Sequence, residues 1–434
     1  MTNLSAHASG AAEPDHRSQR PRAVLPALCA TQVTSWGIVY YAFPVLNSRI
    51  TADTGWSTAS TTGAFSVALL VSAAVGIPVG RVLDRRGPHK VMTFGSVLAV
   101  AAVLAVATAP NLPVFYAAWF LAGTAMAATF YQPAFAAVTR WWGPQRVRAL
   151  TVVTLAGGLA STVFAPITAA LADHFSWRTT YAILAASLAL ITIPAHALAL
   201  RAPWPAEPEA PSHAEGVSRS DAVARTRPFL LLAAAFTLSG FAVYAVVIGL
   251  VPLLTERGAD ATTAAWALGL GGAGQTLGRT LYASLARRTS AATRTVLLIA
   301  AGGATTLALG LVPGPIPLLV ALAIAAGMVR GNLTLLQATA VTDRWGSAHY
   351  GTLSGLLTAP ATVAAAIAPW AGAGLAESLG GYPHLFTTLS IASLAAAFLA
   401  LGSAITRSDN AETSLSPACH SQPSRDTSGP PPSR

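Results

Sequence analysis

Residues 80–90 read Gly-Arg-Val-Leu-Asp-Arg-Arg-Gly-Pro-His-Lys, a charged stretch that lies between two long apolar runs. One run extends from Thr58 to Val79, and the other extends from Val91 to Ala109. Each has about twenty residues, which in a helix rising about 1.5 Å per residue is enough to cross a hydrocarbon layer about 30 Å thick. The stretch is therefore predicted to be a tight turn between two membrane helices.

Charge assigns this turn to one side of the membrane. Its side chains that are basic, or become so on protonation, are Arg81, Arg85, Arg86, His89 and Lys90. They are accompanied by a single acid, Asp84, and such an excess of basic residues is typical of cytoplasmic loops. On composition alone, the turn either fixes only the orientation of the chain or also takes part in function.

The composition is that of a polytopic membrane protein. Of the 434 residues, 53% are hydrophobic and 10% are charged, whereas about a quarter are charged in soluble globules. The net charge of +10 does not indicate nucleic-acid binding, because the basic residues lie in short loops and form no continuous stripe. Cys29 and Cys419 are too few and too poorly placed for a disulfide framework or a metal site. The polar N-terminus lacks the features of a removable signal peptide.

Twelve apolar spans are long enough to be membrane helices. They cover residues 24–46, 58–79, 91–109, 113–138, 149–172, 179–200, 228–254, 263–284, 295–312, 316–341, 349–375 and 384–405. If the N-terminus is cytoplasmic, the great majority of the Lys and Arg residues in the loops and tails lie on the cytoplasmic side of the membrane. Only Arg49, Arg178 and Arg257 lie on the outer side. Both termini are therefore predicted to be cytoplasmic, in a multi-pass protein of the cytoplasmic membrane.

The two halves of this predicted all-α membrane protein resemble each other. At a shift of 203 residues, Thr139, Trp142, Gly143, Leu150, Ala165 and Pro166 match Thr342, Trp345, Gly346, Leu353, Ala368 and Pro369. Such a duplication predicts two pseudo-symmetric six-helix bundles around a central cavity. The predicted regions are a cytoplasmic tail (1–23), the first bundle (24–200), a cytoplasmic linker (201–227), the second bundle (228–405) and a disordered cytoplasmic tail (406–434).

The charged turn also carries a family resemblance. Gly80-x-x-x-Asp84-Arg85-x-Gly87-x-x-Lys90 resembles the signature between helices two and three of the major facilitator superfamily, and the resemblance covers residues 24–405. Further motifs are similar to monocarboxylate porters and oxalate–formate exchangers: Tyr41-x-Phe43-Pro44, Gly55-Trp56-Ser57, Arg140-Trp141-Trp142 with Arg146 and Arg148, and Trp177-Arg178. The acidic residue and paired aromatic residues that such relatives often carry at the start of helix one are not evident. The resemblance implies a secondary transporter with the major facilitator fold.

The turn differs between the two halves. At a shift of 202 residues Asp84 is replaced by Ala286 and Gly87 by Thr289, so only the first copy carries an acid. We predict that Asp84 makes charge contacts on the cytoplasmic side, with Arg85, Arg148 or the N-terminus of helix eleven, that stabilise the outward-open state. The predicted conformational-gating set is Gly80, Asp84, Arg85, Gly87, Lys90 and Arg148.

Arg330 is the charged residue nearest the middle of a predicted span. A charge at the bilayer centre costs about 2.5–3.5 kcal/mol on insertion scales, so its presence needs a reason. Gly327 and Gly331 beside it leave room for a partner, and the planar guanidinium suits the carboxylate of an anionic substrate. The alternative is a structural Arg that is satisfied by neighbouring carbonyl groups or Gln side chains.

Two other polar residues within spans have open interpretations. Arg279, toward the cytoplasmic end of the eighth span, is either a second anion contact or an interfacial residue whose side chain reaches water. His196, near the inner end of the sixth span, is interpreted as interfacial. The Asp and Glu residues fall in loops or at helix ends, which disfavours a proton-coupled exporter of cationic drugs.

The predicted substrate site is a cavity of mixed polarity between the halves. Its predicted substrate-binding residues are Gln32, Trp36, Tyr40, Tyr131, Gln132, Tyr244, Gln275, Arg279, Arg330 and Asn332. Each uncharged member is also explained by packing or by interhelical hydrogen bonding. Catalytic residues, cofactors and metal ligands are not predicted, since the spans hold no acid–base pair.

The predicted function is secondary active or facilitative transport of a small, monocarboxylate-like organic anion by alternating access. The predicted partners are this small molecule and the lipid bilayer, with no nucleic acid, and the chain is predicted to act as a monomer. A proton-coupled exporter of drugs or metabolites is the alternative within transport. A non-transporting membrane sensor is the alternative from another class.

Overall fold

The computed structural model describes residues 21–143, 146–204, 222–345 and 350–403. These residues form helices, turns and short connections, and no strand occurs among them. The prediction of an all-α protein is confirmed. Most of the predicted linker and both predicted tails, residues 1–20, 205–221 and 404–434, lie outside the described residues.

Within that part of the chain, twelve long helices, several of them broken into segments, follow one another. They are α1 (Val24–Ser35, a π-helical segment Trp36–Tyr41, and Ala42–Thr54), α2 (Thr58–Arg86), α3 (Pro88–Thr108), α4 (Leu112–Thr129 and Tyr131–Trp142), α5 (Arg146–Gly158 and Ala160–His174), α6 (Trp177–Ala199), α7 (Arg227–Glu256), α8 (Ala261–Arg288), α9 (Ala291–Leu311), α10 (Ile316–Arg330, Leu333–Ala340 and Thr342–Trp345), α11 (Tyr350–Leu379) and α12 (Tyr382–Gly402). By length and composition, ten of the described helices are apolar enough to cross a membrane, and α1 and α8 are not among them. The π-helical segment divides α1, and α8 carries Gln275, Arg279 and several glycines. The count is consistent with the twelve predicted spans.

The turn between α2 and α3 is much shorter than the charged stretch that predicts it. Residues 80–86 continue α2, and α3 begins at Pro88, so that Gly87 alone joins the two helices. Gly87 has a φ of 75°, and a Cβ at this position would lie 3.2 Å from the ring of Trp204. Only glycine adopts this positive φ and also fits beside the Trp204 ring without strain. Arg81, Arg85 and Arg86 are exposed on the end of α2, so they reach water without a loop.

Pro133 explains a break in the middle of α4. Proline has no N–H and its ring crowds the carbonyl group four residues earlier, so the helix is interrupted at Phe130. The carbonyl oxygen of Thr129 consequently lacks a helical donor, and Gln32 Nε2 in α1 donates to it at 2.8 Å. Gln32 is fully buried. Its amide therefore stabilises the break.

α10 is broken at the matching place in the second half, at Gly331 and Asn332. Here too, side chains bond to carbonyl groups at the interruption. Asn332 Nδ2 donates to the carbonyl oxygen of Met328 at 2.8 Å, and Arg279 Nε donates to that of Gly331 at 3.0 Å. The duplication seen in the sequence thus extends to the irregular positions of the helices.

Equivalent helix pairs pack in the two halves. α2 packs on α4 as α8 packs on α10, and α3 packs on α6 as α9 packs on α12. The main pairs that join the halves are α2 with α11 and α5 with α8, which correspond to each other under the duplication. The breaks in α4 and α10 therefore lie beside a space between the halves.

His196 in α6 is buried within the first half, so the prediction of an interfacial histidine is wrong. Its Nδ1 atom lies 2.7 Å from Ser96 Oγ in α3, and its Nε2 atom lies 3.0 Å from Thr31 Oγ1 in α1. The imidazole therefore joins three helices. It does not line the space between the halves.

Candidate functional site

A cavity of about 280 Å³ lies between the halves, beside the two helix breaks. Its lining comes from both halves and consists of Trp36, Tyr40, Tyr41, Leu69, Ser72, Ala73, Phe130, Tyr131, Gln132, Gly157, Gly158, Gly240, Val243, Tyr244, Val247, Gln275, Arg279, Arg330, Leu333, Thr334, Gln337, Thr358, Ala361, Thr362, Ala365 and Ala366. A cavity that joins apolar surface to a few polar groups is typical of a small-molecule site.

Aromatic rings from the first half form one side of the cavity, which we call the aromatic wall: Trp36, Tyr40, Tyr41, Phe130 and Tyr131. Trp36 is its centre, because it stacks on Phe130 at 4.1 Å and lies 5.1 Å from the ring of Tyr131. Trp36, Tyr40 and Tyr41 belong to the π-helical segment of α1. Such segments are frequent at functional sites because the wider turn redirects side chains.

Arg330 ends the first segment of α10 and lines the same cavity. Its Nη2 atom is buried and has no hydrogen-bond partner among the described residues. A buried donor left unpaired costs about 1–3 kcal/mol, and more for a charged group. Tyr40, Tyr41 and Tyr244 are within electrostatic reach of this guanidinium, but neutral phenols do not balance its charge. Among the described residues, neither a carbonyl group nor a Gln side chain accepts a hydrogen bond from this nitrogen.

Arg279 is bound by the protein itself. Its side chain is 8% exposed, so the interpretation as an interfacial residue that reaches water does not hold. Nε donates to the carbonyl oxygen of Gly331 in α10, and Nη1 donates to that of Thr154 in α5. The phenol of Tyr131 in α4 lines the same cavity. Arg279 therefore connects the halves. Of the two arginines in the cavity lining, Arg330 is the one whose buried donor has no partner among the described residues.

The cavity lining is positively charged. Arg279 and Arg330 are its two charged members, and no Asp or Glu lines it among the described residues. In that part of the chain, no group of three His, Cys, Asp or Glu side chains is placed to hold a metal ion either. Guanidinium groups without a neighbouring acid attract an anion strongly where water is scarce.

The structure brings most of the predicted substrate-binding residues together. Eight of the ten line the cavity: Trp36, Tyr40, Tyr131, Gln132, Tyr244, Gln275, Arg279 and Arg330. Gln32 and Asn332 do not line it. Both amides donate to carbonyl oxygens at the helix breaks, and we therefore leave them out of the proposed site.

Several residues that line the cavity are not predicted from the sequence. Tyr41 reaches the cavity together with Tyr40 only because that part of α1 is π-helical. Phe130 is aimed by the break in α4, and Pro133 is the sequence signal for that break. Thr358 and Thr362 are one turn apart on α11, a spacing that places both on one face.

The predicted gating residues lie outside this cavity lining. Arg85, Lys90 and Arg148 are exposed, and a Cβ added at Gly80 would meet no atom within 4 Å. The side chain of Asp84 lies outside the described residues. The gating role of the set therefore stays a prediction.

The halves are joined mainly at the end of the helices opposite Gly87. There, the backbone N–H of Trp370 donates to Ser66 Oγ at 3.1 Å, and Thr162 Oγ1 donates to the carbonyl oxygen of Gly269 at 2.8 Å. Farther out, Thr262 Oγ1 donates to Asp173 Oδ2 at 2.7 Å, and Asp173 also pairs with Arg49 at 2.6 Å. These contacts hold that end of the cavity together.

Comparison with known families gives a match over most of the chain. A sequence model described as Major Facilitator Superfamily matches residues 28–315, and a second match covers residues 230–418. Together the two matches cover well over half of the chain.

Named relatives point the same way. Monocarboxylate transporter 11 of Homo sapiens is 31% identical over 222 residues, which are 50% of this chain and 45% of that protein. The matched region thus spans about half the length of this relative. Monocarboxylate transporter 13 of Rattus norvegicus is 25% identical over 393 residues, which are 87% of this chain and 85% of that protein.

A solved structure shows the same fold. It is a bacterial homologue of the human lysosomal transporter Spinster, in an inward-facing and unoccupied conformation. The TM-score is 0.69 at 17% sequence identity, and the match covers 90% of this chain and 98% of that chain.

Proposed function

The chain belongs to the Major Facilitator Superfamily of membrane transporters, and from this premise we propose that it carries a small, monocarboxylate-like organic anion by alternating access. The observation that carries the proposal is the buried Nη2 atom of Arg330, which lacks a hydrogen-bond partner among the described residues in a cavity lined by no acid. A carboxylate oxygen supplies both the missing acceptor and the missing charge.

The relatives named as monocarboxylate transporters support a carboxylate as the bound group. The lining also fits a molecule that is only partly charged, because aromatic and aliphatic side chains surround the two arginines. A cationic substrate is disfavoured, since it would be brought next to two guanidinium groups in a medium that screens charge poorly.

The way in which the halves meet supports alternating access. We place the protein in the cytoplasmic membrane, with Gly87 on the inside, because basic residues concentrate at that end. The contacts at Ser66, Thr162 and Asp173 then close the outer end of the cavity. Rocking of one half against the other would break these contacts and expose the same cavity on the opposite side.

Uptake into proteoliposomes tests the proposed function. We expect purified protein to take up labelled small carboxylates, and not an amine or an amide of similar size, with empty liposomes as the control. A proton ionophore reveals the coupling, because it abolishes accumulation against a gradient only if protons drive transport. Uptake of the amine without uptake of any carboxylate would contradict the proposal.

We propose further that Asp84 takes part in gating, as the signature in residues 80–90 predicts. Asp84→Asn is expected to shift the protein away from the outward-open state. The measurement is the labelling rate, from the cytoplasmic side, of a cysteine introduced at Thr358 in the cavity lining. A faster rate than in the Asp84 parent supports gating. An unchanged rate means that the charged stretch only orients the chain.

A further inference from the structure

The two halves of the protein contribute different side-chain chemistry to the cavity. The charge comes from the second half, through Arg279 and Arg330, and the aromatic wall comes from the first half. Resting on the proposed function, we infer that the transported anion is an aromatic carboxylate, with its ring against the aromatic wall and its carboxylate at Arg330.

The aromatic wall is held in place and still has free ring surface. Trp36 is fixed by Phe130, Tyr131 and Tyr40, with the Tyr40 ring centroid at 5.4 Å. Trp36, Tyr41 and Tyr131 are only partly buried although they lie between the halves, so each ring presents surface to the cavity. A planar ring that meets such surface gains more than an aliphatic group of the same area.

The aromatic wall carries unpaired donors. The hydroxyl of Tyr40 and the indole Nε1 of Trp36 are buried and have no hydrogen-bond partner among the described residues. Tyr40 is 2% exposed and lines the same cavity as Arg330. A carboxylate shared by Arg330 Nη2 and the Tyr40 hydroxyl would satisfy both groups. This places the rest of the anion along the wall, next to Trp36.

The size of the cavity favours an acid larger than the smallest ones. Its volume of about 280 Å³ is many times the roughly 10–15 Å³ that one water molecule needs on this measure. An acid with one aromatic ring uses more of this space and can bury its ring against the aromatic wall.

A matched pair of acids tests the inference, because phenylacetate and cyclohexylacetate share a carbon skeleton and a charge but differ in the ring. We expect a KM for phenylacetate about three- to tenfold lower than for cyclohexylacetate. Trp36→Leu is expected to remove this preference by raising the KM for phenylacetate, with cyclohexylacetate less affected. Trp266→Leu is the control, since Trp266 is 52% exposed on α8 and does not line the cavity.

The outcomes separate this inference from the proposed function. Equal KM values for the two acids, or a preference that survives Trp36→Leu, would overturn the aromatic inference and leave anion transport in place. Uptake of neutral phenylacetamide at the rate of phenylacetate would instead overturn the proposed function, since charge would then not be recognised. Loss of the preference in Trp36→Leu but not in Trp266→Leu supports both.

Discussion

Replacing Arg330 with glutamine is expected to lower kcat/KM for a carboxylate by about 10- to 100-fold. The substitution keeps an uncharged hydrogen-bond donor on a shorter side chain and removes the charge, and a hydrogen bond to a charged group contributes about 1.5–3 kcal/mol. A difference of about 1.4 kcal/mol is a factor of ten. Because the Nη2 atom of Arg330 has no other partner among the described residues, little of this loss is offset within the protein. Initial uptake rates over a range of substrate concentrations measure it.

Two further variants test whether the loss of uptake comes from the charge of Arg330. Arg330→Lys is expected to recover part of the activity, because it restores the charge without the planar pair of donors. Arg287→Gln removes an exposed arginine from the end of α8 and is expected to leave uptake unchanged. If Arg330→Gln transports the carboxylate as well as the parent, Arg330 does not bind the substrate.

The parts of the fold that sequence predicts are those set by periodic and local signals. Hydropathy and charge locate the spans, and the repeated Pro166 and Pro369 reveal the duplication; both prolines lie inside equivalent helices, α5 and α11. The central cavity and most of its polar lining follow from that duplication. The positions of Arg279 and Arg330 in spans are visible because a charge there is costly.

The other parts depend on tertiary contacts that no single segment encodes. Gln32 resembles a substrate ligand until the carbonyl freed by Pro133 is seen to accept its hydrogen bond. Arg279 resembles an interfacial arginine until α5 and α10 are brought to it. In both cases the partner is distant in sequence. Burial of a polar side chain can therefore be expected from sequence, but not which acceptor satisfies it.

The glycines beside Arg330 are explained by packing rather than by space for substrate. α8 and α10 approach so closely that a Cβ at Gly327 would overlap the carbonyl group of Gly271, and a Cβ at Gly278 would overlap that of Met328. The first half repeats this contact, since a Cβ at Gly123 in α4 would overlap the carbonyl of Ala68 in α2. Small residues at helix interfaces are the usual basis of close approach in membranes.

Gly327→Val is consequently expected to destabilise the second half by about 1–3 kcal/mol or more, because the added side chain meets rigid backbone and forces α8 and α10 apart. The separation also moves Arg330 away from Tyr40 and Tyr41, so transport by the folded fraction is expected to fall as well. The measurements are the yield of monodisperse protein after size-exclusion chromatography and the thermal midpoint of the purified protein.

Gly355→Val in α11 is the matched control for this prediction. It makes the same change within a helix, but a Cβ at Gly355 meets no atom within 4 Å. Both variants replace glycine by a β-branched residue, so the intrinsic effect on helix propensity is shared and the difference between them reports the interhelical contact. Equal thermal midpoints for the two variants would show that α8 and α10 separate at little cost. Arg330 would then not be held in place by this packing, and its position in the cavity would have to be set by the substrate itself.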